Sequence, residues 1–395
     1  MSPARDCLVM AKPAGPRCNL RCDYCYYIGK EAAFAAVSAN PRPSANTRSR
    51  WSMPEALLRS YIAQRIASSA AEPIHFEWHG GEPTLIGLGY FRLVRRIQRA
   101  ELPPGRSVTN GLQTNGVLID KAWADFLARE GFSVGLSIDG PADLHDRHRK
   151  GPDGSPSHAA AMRAFGLLTK AGVFCNILCV ITADSAAEPE RVYSFFRDAG
   201  AKYLQFLPLT PRPGLPGAAS ASANPEAVGG FLCSVFDMWM RDDVGRIVVQ
   251  AFDEALRPIY GADHALCVHR ETCGDVAVLE RDGGFYACDH FVDGEHLIGN
   301  LRDRSLADLS SDTRMLAFGE AKRGSLPRDC RDCEALASCN GGCPKDRFAT
   351  APDGEAGLNH LCPAYKRFFL HSRPGLARLA AHMKSGKTLR SFTLS

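Results

Sequence analysis

The chain lacks any stretch of about 18 consecutive apolar residues, so its sequence offers no membrane-spanning helix. Its start, "MSPARDCLVMAKP", lacks the basic-then-long-apolar order of a signal peptide, so the cytoplasm is the expected location. A strong charge of one sign is missing too: 47 basic and 43 acidic residues leave a net +4. That balance excludes nucleic-acid binding as the main task and points to no membrane partner. No internal repeat is present. Cysteine, by contrast, is plentiful, with 15 in 395 residues. In a large cytosolic chain thiols stay reduced, and clustered cysteines more often hold metal than disulfides.

At 45% apolar residues the chain can bury a core for one large domain and a smaller one. Candidate strands are "CLVMAK" (7–12), "IHFEW" (74–78), "SVTNGLQT" (107–114), "SVGLSI" (133–138), "FCNILCVI" (174–181) and "YLQFLPL" (203–209). Amphipathic stretches alternate with them. In "SMPEALLRSYIAQRI", Ser52 and Glu55 have capping-box spacing, and Leu58, Tyr61, Ile62 and Ile66 form one stripe. The alternation predicts an α/β fold: parallel β/α units curled into a partial (β/α)6 barrel over residues 1–225, with functional side chains at strand C-terminal ends. "TPRPGLPGAASASANP" (210–225) reads as a loop or linker, and residues 226–260 as a helical connection. Residues 261–372 are cysteine-rich with few long apolar runs, so bound metal would compensate for a thin core. Residues 373–395 read as a frayed, basic, polar tail.

Two cysteine clusters carry the chemistry. Cys18, Cys22 and Cys25 have the spacing C-x3-C-x2-C. Three thiolates on one loop suit a cubic iron–sulfur cluster with one iron left open, although a zinc site completed from elsewhere fits the spacing as well. The second cluster comprises Cys267, Cys273, Cys288, Cys330, Cys333, Cys339, Cys343 and Cys362. Eight thiolates make two four-cysteine sites, for zinc or for cubic clusters. Cys7, Cys175, Cys179 and Cys233 lie in or beside apolar runs and read as small buried hydrophobes.

The first spacing, taken with "HGGEP" (79–83), "QTNG" (113–116) and "LSIDG" (136–140), resembles the radical S-adenosylmethionine (radical SAM) superfamily, and the second resembles its C-terminal SPASM extension. The stretches "AKPAGPRCNLRCDYCYY", "WHGGEPTLIG", "LQTNGVLID", "VGLSIDGP", "CDHFV" and "CNGGCPK" together look like the anaerobic sulfatase-maturating enzymes. The resemblance implies S-adenosylmethionine chelated at the open iron. Tyr24, His79, Gly80, Gly81, Glu82, Asn115, Ser137, Asp139 and Arg149 would stand around that cofactor. It also implies two auxiliary [4Fe–4S] clusters, one on Cys267, Cys273, Cys288 and Cys343, the other on Cys330, Cys333, Cys339 and Cys362.

The activity that the resemblance implies is oxidation of a cysteine or serine in the C/S-x-P-x-R stretch of a sulfatase to Cα-formylglycine. A deoxyadenosyl radical would abstract hydrogen from Cβ, and Asp289 would accept the side-chain proton. The expected partners are an unfolded or nascent sulfatase segment and a flavodoxin- or ferredoxin-like electron donor. Relatives with the same clusters crosslink ribosomally made peptides, which is the alternative activity. A non-catalytic iron–sulfur electron carrier would need no "GGEP", "QTNG" or "SIDG" rim.

Overall fold

The structure, a computed structural model, describes residues 7–27, 30, 51–212 and 216–393. Residues 213–215 of the expected linker and 394–395 of the expected tail lie outside them. The chain packs as two compact units that interleave in sequence. The first comprises Met1–Ser137, Lys150–Cys175 and Gly274–Gly319; the second comprises Ile138–Arg149, Asn176–Cys273 and Glu320–Ser395.

All six strands expected of the N-terminal half form: β1 (Leu8–Lys12), β2 (Ile74–Trp78), β3 (Val108–Thr114), β4 (Phe132–Ser137), β5 (Cys175–Ile181) and β6 (Tyr203–Pro208). In the first unit, β1 to β4 lie side by side and parallel. β1 has a second neighbour, β8 (Val276–Glu280), which pairs with it in parallel from Leu8↔Val276 to Lys12↔Glu280. Antiparallel β9 (Gly284–Tyr286) and β10 (Leu297–Asn300) continue the sheet beyond β8. The segment 261–372, expected as one cysteine-rich domain, is therefore divided: its strands cover an edge that β1 would otherwise leave unpaired.

Helix Glu55–Ser68 buries Leu58, Tyr61, Ile62 and Ile66, the expected stripe. Its N-cap is Pro54, which makes no side-chain cap. Proline at that position has no N–H and already holds the entry angle. Beneath the helix, Phe76 and Trp78 stack with ring centroids 6.1 Å apart, and Tyr61 meets both edge-on. The Trp78 indole N–H donates to Asn110 at 2.9 Å, so this buried polar group is satisfied.

In the second unit β5, β6 and the short β7 (Val248–Val249) are parallel. Helices Pro225–Asp242, Gln250–Tyr260 and Cys362–Lys384 share an aromatic core, with Phe252 packed 5.3 Å from Phe236 and 5.6 Å from Phe368. Asn224 caps the first of these helices by accepting from the Ala227 N–H at 2.8 Å. Two expectations change here. The linker contains a helical turn, Pro216–Ala221, and the tail is no frayed strand of basic residues. Helix Cys362–Lys384 runs well into it, burying Leu376, Leu379 and Ala380 at i, i+3, i+4 spacing. Leu376→Ala should therefore cost about 3 kcal/mol, by lost burial plus the cavity left behind. Chemical unfolding of the folded protein reads this directly; a value near zero would mean that the helix end contributes nothing.

Candidate active site

The loop that carries Cys18, Cys22 and Cys25 leaves the C-terminal end of β1 and is sewn to the turn after β2. His79 N–H donates to Ala11 O, Gly81 N–H to Gly15 O and Glu82 N–H to Arg17 O, each at 2.8 Å. A Cβ on Gly81 would come within 2.1 Å of Arg17 O. The absence of a side chain there thus serves an approach of backbone to the chain's own cysteine loop. Glu82 is fully buried and accepts from the Thr84 N–H at 3.0 Å, the Thr84 hydroxyl at 2.6 Å, the Thr114 hydroxyl at 2.8 Å and the Asn115 N–H at 2.8 Å. Burial raises its pKa and these four donors oppose the rise. It is a latch joining the β2 turn to the end of β3.

Asn115, held by that latch, donates through Nδ2 to the Cys18 sulfur at 3.6 Å and to Asn19 at 2.8 Å. The Cys18 thiol is pushed up to about 12, chiefly by burial and further by Glu82, Cys22 and Cys25. A thiol in such surroundings keeps its proton unless a cation takes the proton's place, which is the condition of a metal site that loads by proton release. The loop therefore fits a cluster with three cysteine ligands.

Beside the loop lies a buried group of charges. Lys12, at the end of β1 and fully buried, pairs with Asp289, and the Tyr26 hydroxyl donates to the same carboxylate. The Lys12 ammonium stands 3.7 Å from the centroid of the Tyr27 ring. Tyr27 in turn donates to Glu280 at 2.5 Å, and Glu280 is the register partner of Lys12 on β8. Burial works to raise the pKa of Asp289, but the Lys12 ammonium, His79 and His290 hold it well below the usual carboxylate range. Its side chain keeps 13% of its surface open. Glu280 behaves oppositely: burial lifts it to about 7 against the pull of Lys12. His79 is held down by burial, and its Nδ1 has no hydrogen-bond partner among the described residues. A half-buried, neutral imidazole with a spare, buried Nδ1 is suited to a bound ligand. Tyr24 is buried, and Ser137 accepts from Gln113 at 3.1 Å.

In the second unit Asp139 and Arg149 form an ion pair, Nε to Oδ2 at 2.8 Å, and Asp139 also accepts from the Val180 N–H at 2.9 Å. Arg149 is therefore anchored by a neighbour that was itself read as a cofactor contact. Cys330, Cys333, Cys339 and Cys362 line one cavity. Burial raises Cys339 to about 12 and Cys362 to about 11, with the other cysteines of the set adding to both shifts. Cys343, also raised to about 11 by burial, faces Cys267. Among the described residues no three His, Cys, Asp or Glu side chains converge on the point that a single ion would occupy. Four thiols around a cavity suit a cubic cluster. Cys288 belongs to the first unit, next to Asp289 in sequence. Cys7, Cys175, Cys179 and Cys233 are buried, as expected of small hydrophobes.

Lys12, Tyr26, Tyr27 and Glu280 escaped the sequence reading. Their only signal is a charge ending each of two apolar strands and a second tyrosine after "CDYC".

The Radical SAM superfamily matches residues 13–196, and the SPASM family, an iron–sulfur cluster-binding domain, matches residues 267–334. Fold and motifs thus define a radical SAM enzyme with an iron–sulfur extension, one that uses S-adenosylmethionine and [4Fe–4S] clusters. The chain is 36% identical to the serine-type anaerobic sulfatase-maturating enzyme of Bacteroides thetaiotaomicron over 94% of its own length and 90% of that protein's. It is 33% identical to the cysteine-type enzyme of Clostridium perfringens, over 95% and 99% of the two chains. The solved structure of native anSMEcpe with bound AdoMet and Cp18Cys peptide superposes with a TM-score of 0.82 at 31% identity, covering 95% of this chain and 99% of that one. The chain belongs to the anaerobic sulfatase-maturating enzymes, which generate Cα-formylglycine.

Two outcomes are expected of this geometry. Gly81→Ala should displace the cysteine loop, so anaerobically reconstituted protein should lose about four irons of about twelve, counted by iron analysis, while keeping the remainder. Glu280→Gln tests the raised carboxyl. A carboxyl near 7 when folded and near 4.5 when unfolded contributes stability that is complete below pH 4.5 and lost as pH rises through 7. The melting temperature of the Gln variant relative to the parent should therefore rise between pH 5 and pH 8, by a free-energy difference of up to about 3 kcal/mol. A flat difference would mean that Glu280 titrates normally.

Proposed function

We propose that this enzyme oxidises the cysteine or serine of a C/S-x-P-x-R stretch in a sulfatase polypeptide, and that Asp289 accepts the side-chain proton. The observation that carries the assignment is a partly open carboxylate, held ionised by buried Lys12 and by the Tyr26 hydroxyl, on the unit that also holds the first cysteine loop. Cys18, Cys22 and Cys25 would hold a [4Fe–4S] cluster whose open iron takes S-adenosylmethionine, and one electron passed from the cluster to the cofactor would supply the hydrogen-abstracting deoxyadenosyl radical. The residues proposed to hold the cofactor are Tyr24, the β2 turn of His79, Gly80 and Gly81, then Asn115, Ser137, Asp139 and Arg149. Glu82 acts on the cofactor only through the backbone that it fixes.

Asp289 is always ionised near neutral pH and so always able to accept, but its pairing with Lys12 makes it a weak base. A weak base takes a proton only from a strong acid, and an alcohol or thiol becomes one as its carbon is oxidised towards the carbonyl level. Lys12 and Tyr26 would thereby couple proton acceptance to oxidation and keep Asp289 inactive towards the resting substrate. His79, neutral and with a free nitrogen, would orient cofactor or substrate without competing for that proton. The peptide would enter as an unfolded or nascent segment, with electrons from a flavodoxin- or ferredoxin-like donor, in the reducing cytoplasm that thiol-ligated clusters require. Among the described residues no helix is long and apolar enough to cross a membrane.

Asp289→Asn keeps the shape and loses the charge. It should still form 5′-deoxyadenosine while aldehyde formation falls by about two to four orders of magnitude, the range of general-base catalysis. Mass spectrometry of a C/S-x-P-x-R peptide reads the product as a loss of about 18 Da from cysteine or about 2 Da from serine. Wild-type rates in the Asn variant would place the base elsewhere, and a parent enzyme that crosslinks ribosomal precursor peptides but ignores this peptide would replace the substrate.

A further inference from the structure

In the cysteine-rich part of the second unit, buried Lys322 and half-buried Arg347 have no carboxylate within ion-pair distance among the described residues. Lys322, near the end of helix Thr313–Gly324, is 1% exposed. Its ammonium donates to the carbonyls of Cys267 at 2.7 Å and Val268 at 3.0 Å, and also to that of Arg270. Arg347 grips the loop between Cys339 and Cys343, donating to Asn340 O at 3.0 Å, Gly341 O at 3.0 Å and Gly342 O at 3.5 Å. It also donates to the carbonyl of Lys322 itself at 2.5 Å and to Ser325 at 3.2 Å.

Carbonyls solvate a buried cation but do not neutralise it, and an uncompensated charge in the interior is costly. Cysteine sulfurs act on both: Cys273, Cys267 and Cys343 on Lys322, and Cys330, Cys273, Cys339 and Cys343 on Arg347. Each cation is thus placed where thiolates, once ligated to metal, would supply the missing charge. An Arg347 interaction with one loop reaches ligands assigned to both four-cysteine sites.

We propose that Lys322 and Arg347 are built-in countercharges of the auxiliary cluster sites, positioning residues that hold the ligand loops and raise the clusters' reduction potentials. A four-thiolate cubic cluster gains a negative charge on reduction, so a fixed cation nearby favours the reduced state. This rests on the assignment of the eight cysteines to two clusters and adds to it two residues outside the coordination sphere.

The test uses the full-length chain carrying Cys18→Ala, Cys22→Ala and Cys25→Ala, so that only auxiliary clusters give a signal, with potentials read by anaerobic redox titration followed by electron paramagnetic resonance and iron counted beside it. In that background Lys322→Met and Arg347→Met should shift an auxiliary midpoint potential downward, whereas Lys322→Arg and Arg347→Lys should leave it near the parental value. Met variants that keep all their iron and titrate like the parent overturn the proposal, as do charge-keeping variants that shift equally. If the Met variants shed iron, parental iron and potential in the charge-keeping pair support the countercharge role; loss in that pair too leaves a purely structural clamp and overturns it. No auxiliary iron in the parent defeats the ligand assignment itself, and the inference falls with it.

Discussion

The buried group of charges at the candidate active site depends on the parallel pairing of β1 with β8. These strands are more than 260 residues apart in sequence, yet they run in register from Leu8↔Val276 to Lys12↔Glu280. Closing so long a loop is entropically unfavourable, and the closure is held by a ladder that buries both strands between neighbours on either side. Once formed, it sets a lysine beside a glutamate at the strand ends and brings the following turn, with Cys288 and Asp289, to the N-terminal cysteine loop's own unit. A slip of one residue in this ladder would turn Lys12 to the other face of the sheet and leave Asp289 without its cation.

Buried charge is handled in three ways in this molecule. Glu82 is solvated by donors: four hydrogen bonds make it a structural latch. Asp289 is held ionised by a lysine, whereas Glu280, on the other side of the same lysine, is pushed towards protonation by burial. One buried cation thus serves two carboxylates unequally, and the one that keeps its charge is the one that remains partly open. The thiols take a third course. Burial favours the protonated form of Cys18 and Cys339, so negative charge at these sulfurs would enter together with metal.

The parts legible in the sequence are those with a local code. Six strands announced themselves by apolar runs, and the cysteines by spacing. Glycines after β2 were also visible, but their purpose was not: Gly81 is required by Arg17 O, a contact between segments more than 60 residues apart. Lys12 and Glu280 could not be read, because a charge at the end of an apolar strand is ordinarily solvated, and only the register of two distant strands shows that these are buried together. The C-terminal helix was hidden for a different reason. Its exposed positions are basic and polar, and composition outweighed the sparse spacing of Leu376, Leu379 and Ala380. Arg347 is illegible for the same reason as Lys12: what matters is the carbonyls it reaches.

Between Cys339 and Cys343 the chain has three residues, Asn340, Gly341 and Gly342, with φ of 47°, 70° and 62°. Three consecutive left-handed residues form a rigid corner that few sequences can adopt. A corner this short leaves no slack between the sulfurs at its two ends. On the proposed ligand assignment Cys339 and Cys343 serve different clusters, so any change in the length of this corner would move a ligand of each site at once.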